Sequence, residues 1–165
     1  MPKSLGVLQF GNTSIINSNE VSVSTAIYAA GEVMGGLLTF SDVVSGDIGG
    51  GTIVGAELVD TSTVVASIDL LLFNSIPDSS NYDSDNAALD LSDTDLTRVI
   101  GVINFSSNDA NQYADNQIYF ASGGNQEFFL EDDNELYGVL VSRGTPTYAT
   151  GNVLMVKLHV QRDAG

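Results

Sequence analysis

Apolar runs separated by polar connections divide the chain into short segments. The clearest example begins with an apolar run at residues 66–73, passes through a polar, aspartate-rich stretch at 74–90, and returns to an apolar run at 99–105. Apolar runs of this length, bounded by turn residues, are typical of buried strands. Both faces of the first run are largely apolar. We therefore expect one side to pack against a second sheet and the other against a covering loop or another subunit.

The connection between these two strands also predicts one short helix, at residues 92–98. Ser92 is a candidate N-cap and Asp95 stands at the third helical position, which resembles a capping box with Asp in place of Glu. Asp93 and Asp95 suit the positive end of the helix dipole, and Arg98 suits the last turn. Two aspartates are thereby explained without a ligand.

The density of aspartate between residues 78 and 95 raises the possibility of a calcium loop. With Asp83 at the first position of an EF-hand loop, however, Ala88 stands where the turn requires glycine, and no closing glutamate follows. We therefore expect a solvated acidic loop, no bound metal and no cofactor.

Other strand patterns recur along the chain. Residues 20–30 alternate between apolar and polar positions, as a half-buried strand does. The pair Gly35-Gly36 predicts a bulge inside a strand at 33–40. Residues 41–52, which contain Gly46 and the glycine triplet at 49–51, predict a flexible loop, and no lysine is near to make it a phosphate-binding loop. Further strands are predicted at 52–60, 117–121, 126–130 (after a turn at Gly123-Gly124), 136–143 and 152–161.

These segments predict an all-β fold. Only five residues join the strands at 52–60 and 66–74, too few for a parallel crossover, so we expect these two strands to form an antiparallel pair. About eight to ten strands, one short helix and frequent turn residues are typical of a β-sandwich or a jelly-roll-like barrel. We expect residues 20–165 to form a single domain.

Residues 1–19 are rich in Asn and Ser and contain one apolar patch. The segment is either an N-terminal arm or a first strand. As an arm it would add an edge strand to a neighbouring subunit. The candidate contact residues in this patch are Leu5, Val7, Leu8 and Phe10.

The net charge excludes several partner classes. The 165 residues include 21 acidic and 5 basic ones, for a formal net charge of −16. Because a polyanion repels nucleic acids and anionic lipid surfaces, we expect neither nucleic acid nor membrane as a partner. No apolar run approaches the roughly 20 residues that span a bilayer, and we expect no signal peptide.

Catalytic residue types are scarce. The chain has no cysteine and a single histidine, His159. His159 and Lys157 alternate with the apolar residues of the last strand, so we expect His159 to be a solvated residue on its outward face. With no cysteine and one histidine, the chain has too few suitable side chains for a nucleophilic triad or a zinc site. Paired carboxylates, as in a glycosidase, arise by chance among 21 acidic residues. We expect no enzymatic activity.

Several segments together resemble a family of small proteins of tailed bacteriophages, encoded near the major capsid protein and identified as capsid decoration, or cement, proteins. The most specific are Asp-Asn-Ala-Ala-Leu-Asp at 85–90 and the block 136–148, which contains Leu-Tyr-Gly and Arg-Gly-Thr-Pro-Thr-Tyr. Residues 28–40, 68–73 and 100–103 add to the likeness, which covers about residues 20–162.

The resemblance implies a structural β-sandwich on the outer surface of the icosahedral capsid in the virion. It implies a homotrimer at threefold or quasi-threefold positions, with the major capsid protein and further copies of the chain as partners. The implied role is mechanical, since such a trimer clamps neighbouring capsid subunits against the internal pressure of the DNA.

Two other functions remain open at this point. Jelly rolls also recognise ligands, so the alternative is a virion-surface glycan- or receptor-binding protein, like the head of a fibre or adhesin. A groove lined by several tyrosines with carboxylates at its rim would favour that alternative, whereas a flat apolar base with a projecting arm would favour decoration. A hydrolase would need a cleft with a strongly perturbed carboxylate pair.

Overall fold

The computed structural model describes residues 13–78 and 80–163, and these residues form two antiparallel sheets with little helix. The described elements are β1 (Thr13–Asn17), β2 (Val21–Ser22), β3 (Val33–Phe40), β4 (Gly49–Asp60), β5 (Ile68–Phe73), α1 (Asp93–Leu96), β6 (Val99–Phe105), β7 (Ala110–Gln112), β8 (Gln117–Leu130), β9 (Leu136–Ser142) and β10 (Val153–Arg162), with a 3-10 turn at Ser107–Asp109.

Sheet 1 has the strand order β1-β10-β4-β8-β7, and β2 pairs with the beginning of β10. Sheet 2 has the order β3-β9-β5-β6. Neighbouring strands are antiparallel in both sheets. The predicted all-β sandwich with one short helix is confirmed.

The main core lies between the inner faces of the two sheets. The alternation predicted for the last strand is confirmed, because its inward side chains are buried and its outward ones are partly or fully exposed. The fully buried inward residues include Leu154, Val156, Leu158 and Val160 of β10 and Ile68, Leu70 and Leu72 of β5. Burying a side chain of this kind contributes about 1.5–3 kcal/mol, so this layer is the main source of stability.

A second apolar cluster lies on the outer face of sheet 2. Phe73 and Val139 are fully buried there, although they point away from the main core. Tyr82, Leu89 and Leu91 pack over them. These three residues belong to the connection between β5 and β6, which we call the covering segment (residues 74–78 and 80–98). A covering loop, one of the two explanations for strands that are apolar on both faces, is therefore what the structure shows.

Local hydrogen bonds hold the covering segment in place. Asp95 is fully buried, and its carboxylate accepts bonds from the Asp78 backbone N–H at 3.1 Å, the Ser80 hydroxyl at 2.7 Å and Arg98 at 2.9 Å. The predicted cap is confirmed, since the Ser92 side chain accepts from the Asp95 N–H. Arg98 does not lie in the last helical turn as expected, because α1 ends earlier and Arg98 instead pairs with aspartates.

The bulge predicted at Gly35-Gly36 is confirmed, because the pairing of β3 with β9 shifts register between Met34 and Leu37. Gly35 has a φ of +79°, and a Cβ there would lie 2.6 Å from the side chain of Val21. Its N–H donates to Asp85 of the covering segment at 2.8 Å. The glycine therefore permits a close approach that ties β3 to β2 and to the covering segment.

Two strand boundaries were predicted wrongly. Strand pairing in the segment 20–30 covers only Val21–Ser22. Beyond it, Ser24 N–H donates to the Tyr28 hydroxyl at 2.7 Å and Ala26 N–H donates to the Ser24 side chain at 3.1 Å. These side chain–backbone bonds replace ladder bonds and turn the chain. The second error concerns the turn at Gly123-Gly124, since β8 continues through that point as one strand with a bulge opposite Ile53.

The loop predicted at 41–52 ends at residue 48, where β4 begins, and the pairing predicted for β4 with β5 is wrong. The three glycines belong to β4 and pair with Phe128–Leu130 of β8. A Cβ on Gly51 would lie 2.8 Å from the Gln161 carbonyl oxygen, so glycine serves close strand packing there. β4 and β5 lie in different sheets, and the short link between them carries the chain across the sandwich.

Candidate docking face

The outer face of sheet 1 differs from that of sheet 2 because no part of the described chain lies over it as the covering segment does. Strand register brings its outward residues into rows across the sheet: Asn17, Lys157, Glu57 and Phe120 form one such row. We call this surface the open face. Its residues are Ile15, Asn17, Thr52, Glu57, Val59, Ile118, Phe120, Ser122, Glu127, Phe129, Met155, Lys157, His159, Gln161 and Asp163.

Large apolar side chains project from the open face. Ile15 on β1 is 61% exposed and Phe120 on β8 is 52% exposed. Val59, Ile118 and Met155 form the row next to Phe120 and are half-buried, whereas Ile15 stands opposite His159, on the other side of the Phe120 row. Adjacent apolar side chains of this size, uncovered on one side of a sheet, are typical of a protein interaction surface.

A small charged group occupies the middle of the open face. Lys157 Nζ lies 3.6 Å from Glu57 Oε2, and His159 Nε2 lies 3.8 Å from the same oxygen. His159 is on the outward face as expected, but only 30% of its side chain is exposed, so the expectation of a solvated histidine is wrong. It stands opposite Ile15 of β1 and Gly55 of β4.

The two outer faces differ strongly in charge. Of the 21 acidic residues, the open face holds Glu57, Glu127 and Asp163, with Lys157 as a partial counterweight. The covering segment on the other side holds six, with Arg98 as its basic partner. Those six are Asp78, Asp83, Asp85, Asp90, Asp93 and Asp95. The open face is thus a weakly charged, partly apolar area on a strongly acidic protein.

Tyrosine positions do not match a sugar-binding groove. Tyr28, Tyr119, Tyr137 and Tyr148 are buried, and Tyr82 packs into the second apolar cluster. A groove of about 420 Å³ at one end of the sandwich has Glu131, Asp132 and Asp133 in its wall, with Phe129 as its aromatic residue. The carboxylates of a glycan site are present there, but the tyrosines that would stack on a sugar are not.

Carboxyl groups give no support for a hydrolase either. The pKa of Asp60 is raised by burial. The group is inaccessible, and its hydrogen-bond partners are Ser62 and Gln117 rather than a second carboxyl group. Within residues 13–78 and 80–163, no cluster of three or more His, Asp or Glu side chains could hold a metal ion. Across the same residues, no helix is long and apolar enough to cross a membrane.

The contact residues predicted from the sequence, Leu5, Val7, Leu8 and Phe10, lie outside the described residues. The chain enters the described part at Thr13, the first residue of β1, which is an edge strand of sheet 1. Sequence reasoning missed Ile15 and Phe120. The signal for both was an apolar residue placed out of phase with the buried positions of a short strand, which becomes readable only when the register is known.

Comparisons with known proteins add no family assignment. No protein-family model matches the chain. No curated protein matches it at a significant level.

Proposed function

We propose that this protein is a capsid decoration protein of a tailed bacteriophage, and that it binds the outer surface of the head through the open face. The resemblance of residues 20–162 to that family suggests the role. The observation that carries the proposal here is the division between an uncovered, weakly charged sheet face with exposed Ile15 and Phe120 and a loop-covered, acidic face opposite.

This division suits a protein that lies on a shell. Burying the exposed apolar side chains of the open face against the major capsid protein contributes favourable free energy without placing many uncompensated carboxylates in the interface. The covering segment, with its six aspartates, would then face the solvent, where acidic side chains keep a virion surface soluble.

Trimer formation gives the proposed mechanism its strength. Each copy makes a modest contact with a capsid subunit, and linking three copies turns the second and third contacts into intramolecular events with a high effective concentration. A trimer that spans neighbouring capsomers also resists lifting, because several contacts must break together. The N-terminal segment before β1 is the proposed arm toward a neighbouring subunit.

Light scattering on the purified protein combined with heating of capsids tests this function. We expect a mass three times the 17.3 kDa of one chain, and we expect the protein to raise the temperature at which stripped heads release their DNA. A monomer that leaves head stability unchanged would contradict the proposal. Binding to a glycan array by such a monomer would favour the receptor-binding alternative.

A further inference from the structure

A polar cluster lies inside the sandwich, where β4 ends and β8 begins. Asp60 is the last residue of β4, and it stands opposite Gln117, the first residue of β8. Both side chains are fully buried. Burying a carboxyl group and an amide without satisfying their hydrogen bonds is unfavourable, so the partners of each polar atom can be assigned one by one.

The orientation of the Gln117 amide follows from its donors. Gln117 Nε2 donates to Asp60 Oδ2 at 2.9 Å and to the Val64 carbonyl at 2.7 Å. Both amide hydrogens are therefore used, and the other end of the group must be the oxygen. Gln117 Oε1 is buried and has no hydrogen-bond partner among the described residues.

A tyrosine on the neighbouring loop also has an unpartnered hydroxyl. Tyr148 is 3% exposed, and its hydroxyl has no hydrogen-bond partner within the described part of the chain. Its loop is attached to the link between β4 and β5 at both ends, because Asn152 Nδ2 donates to the Thr61 carbonyl at 2.8 Å and the Arg143 N–H donates to the Ser67 carbonyl at 2.9 Å. The same link binds the Tyr119 hydroxyl, which accepts from the Ala66 N–H at 3.3 Å and keeps its own proton to donate.

The cluster thus offers two hydroxyl protons and two kinds of acceptor, Gln117 Oε1 and the Asp60 carboxylate. A water molecule accepts two hydrogen bonds and donates two, so it complements this set. A metal ion fits less well, because the cluster contains only one carboxylate beside two neutral phenols. We infer that Asp60, Gln117, Tyr119 and Tyr148 form an internal site for one ordered water molecule.

Such a water would connect three separate parts of the chain. Asp60 and Gln117 are the ends of two neighbouring strands in sheet 1, Tyr119 lies two residues further along β8, and Tyr148 belongs to the loop that precedes β10. The site would fix the long 143–152 loop to this end of the sandwich. The site belongs to the interior of the folded chain and is independent of any contact made by the open face.

Denaturation of the Tyr148→Phe variant tests the site. If the hydroxyl donates to a bound water, its removal should lower the folding equilibrium constant by about tenfold, because one hydrogen bond is lost and the water loses a partner. If the hydroxyl is simply unpaired, its removal should leave the constant unchanged or raise it. Tyr113→Phe is the matched control, since Tyr113 is 63% exposed and should show no effect.

A double-mutant cycle identifies the water as the shared partner. In a Gln117→Leu background, which removes the Oε1 acceptor, Tyr148→Phe should cost less than it does in the wild-type chain. Additive effects would overturn the inference. A crystal structure with an ordered water within about 3.2 Å of both Tyr148 Oη and Gln117 Oε1 would support it, and well-resolved density without that water would overturn it even if a variant failed to fold.

Discussion

Phe120 of β8 lies directly across the strand pair from Glu57 of β4, on the face of sheet 1 that the described chain leaves uncovered. Half of the phenylalanine residue stays in contact with solvent, and the edge strand β7 pairs with β8 only at Gln117–Tyr119, just short of it. Its position next to the Glu57–Lys157 pair makes the open face the part of the molecule best suited to a partner.

Ile15 and Ile27 form a matched pair for testing the open face. Ile15 is 61% exposed on β1 of the open face, and Ile27 is 64% exposed in the turn after β2. A carboxylate at Ile15 would be buried without a partner in the docked state. We therefore expect Ile15→Asp to weaken binding to stripped heads by about tenfold or more, and Ile27→Asp to leave it unchanged. Equal effects in the two binding curves would show that the open face is not the docking surface.

Asp95 is expected to be a structural residue of the covering segment. Asp95→Ala removes the acceptor of the Asp78 N–H and of the Ser80 hydroxyl in a buried place. We expect the free energy of unfolding to fall by about 2–3 kcal/mol in urea denaturation. Asp93→Ala is the control: Asp93 is exposed in the first turn of α1, and its loss should cost less than about 1 kcal/mol. An equal cost for both would mean that Asp95 is not an anchor.

Gly35 and Gly36 are neighbours with opposite expected responses to substitution. Gly35→Ala places a Cβ 2.6 Å from Val21 at a φ of +79°, so we expect a loss of about 2 kcal/mol or more in the free energy of unfolding. Gly36→Ala meets no atom within 4 Å and should change it by less than about 0.5 kcal/mol. Similar thermal melts for the two variants would be incompatible with the close approach of β3 to β2.

Ionisation of Asp60 makes the free energy of unfolding depend on pH, and the direction of the change can be stated. Burial raises its pKa above the usual 3.8, against the lowering effect of bonds from Ser62 and Gln117. The folded state therefore binds this proton more tightly than the unfolded state does, so the associated stability is fully present below pH 3.8 and is lost as the pH rises through the folded pKa.

Asp60→Asn removes this dependence while it keeps an acceptor for the Ser62 N–H. The variant should therefore gain stability relative to the wild type as the pH rises from about 3 to 7, which urea denaturation at several pH values would measure. A difference between the two proteins that stays constant over this range would show that burial does not raise the pKa of Asp60.

Salt should promote assembly of the proposed trimer. Three chains carry 3 × 16, or 48, formal negative charges, and their repulsion is screened over a shorter distance as ionic strength rises. We expect the trimer fraction in light scattering to increase between about 10 and 150 mM NaCl, and divalent cations to act at lower concentration. A trimer fraction that does not respond to salt would argue against self-repulsion as a control on assembly.

The sequence predicted those features that depend on local pattern. The alternation of Leu154, Val156, Leu158 and Val160 marked the inward face of β10, and the two-sided apolar strand before Phe73 indicated a cover over the second sheet. The cap at Ser92 was also readable, because capping involves residues three positions apart.

Features that depend on distant contacts were not predictable. The alternation at 20–30 ended early because the Ser24 side chain and the Tyr28 hydroxyl, which is itself held by Asp85 of the covering segment, took over backbone bonds. The Gly49–Gly51 segment is strand because β8 and β10 pack closely on both sides of it. The open face could not be predicted because its residues come together only through the register of four strands, which no single segment determines.

Cosedimentation of the purified protein with phage heads stripped of decoration is the first test of binding through the open face. We expect the protein to pellet with the heads to a saturating amount, and Ile15→Asp to reduce this amount while Ile27→Asp does not. If the protein remains in the supernatant at every concentration, while the same heads bind a known decoration protein in parallel, it is not a decoration protein of these heads.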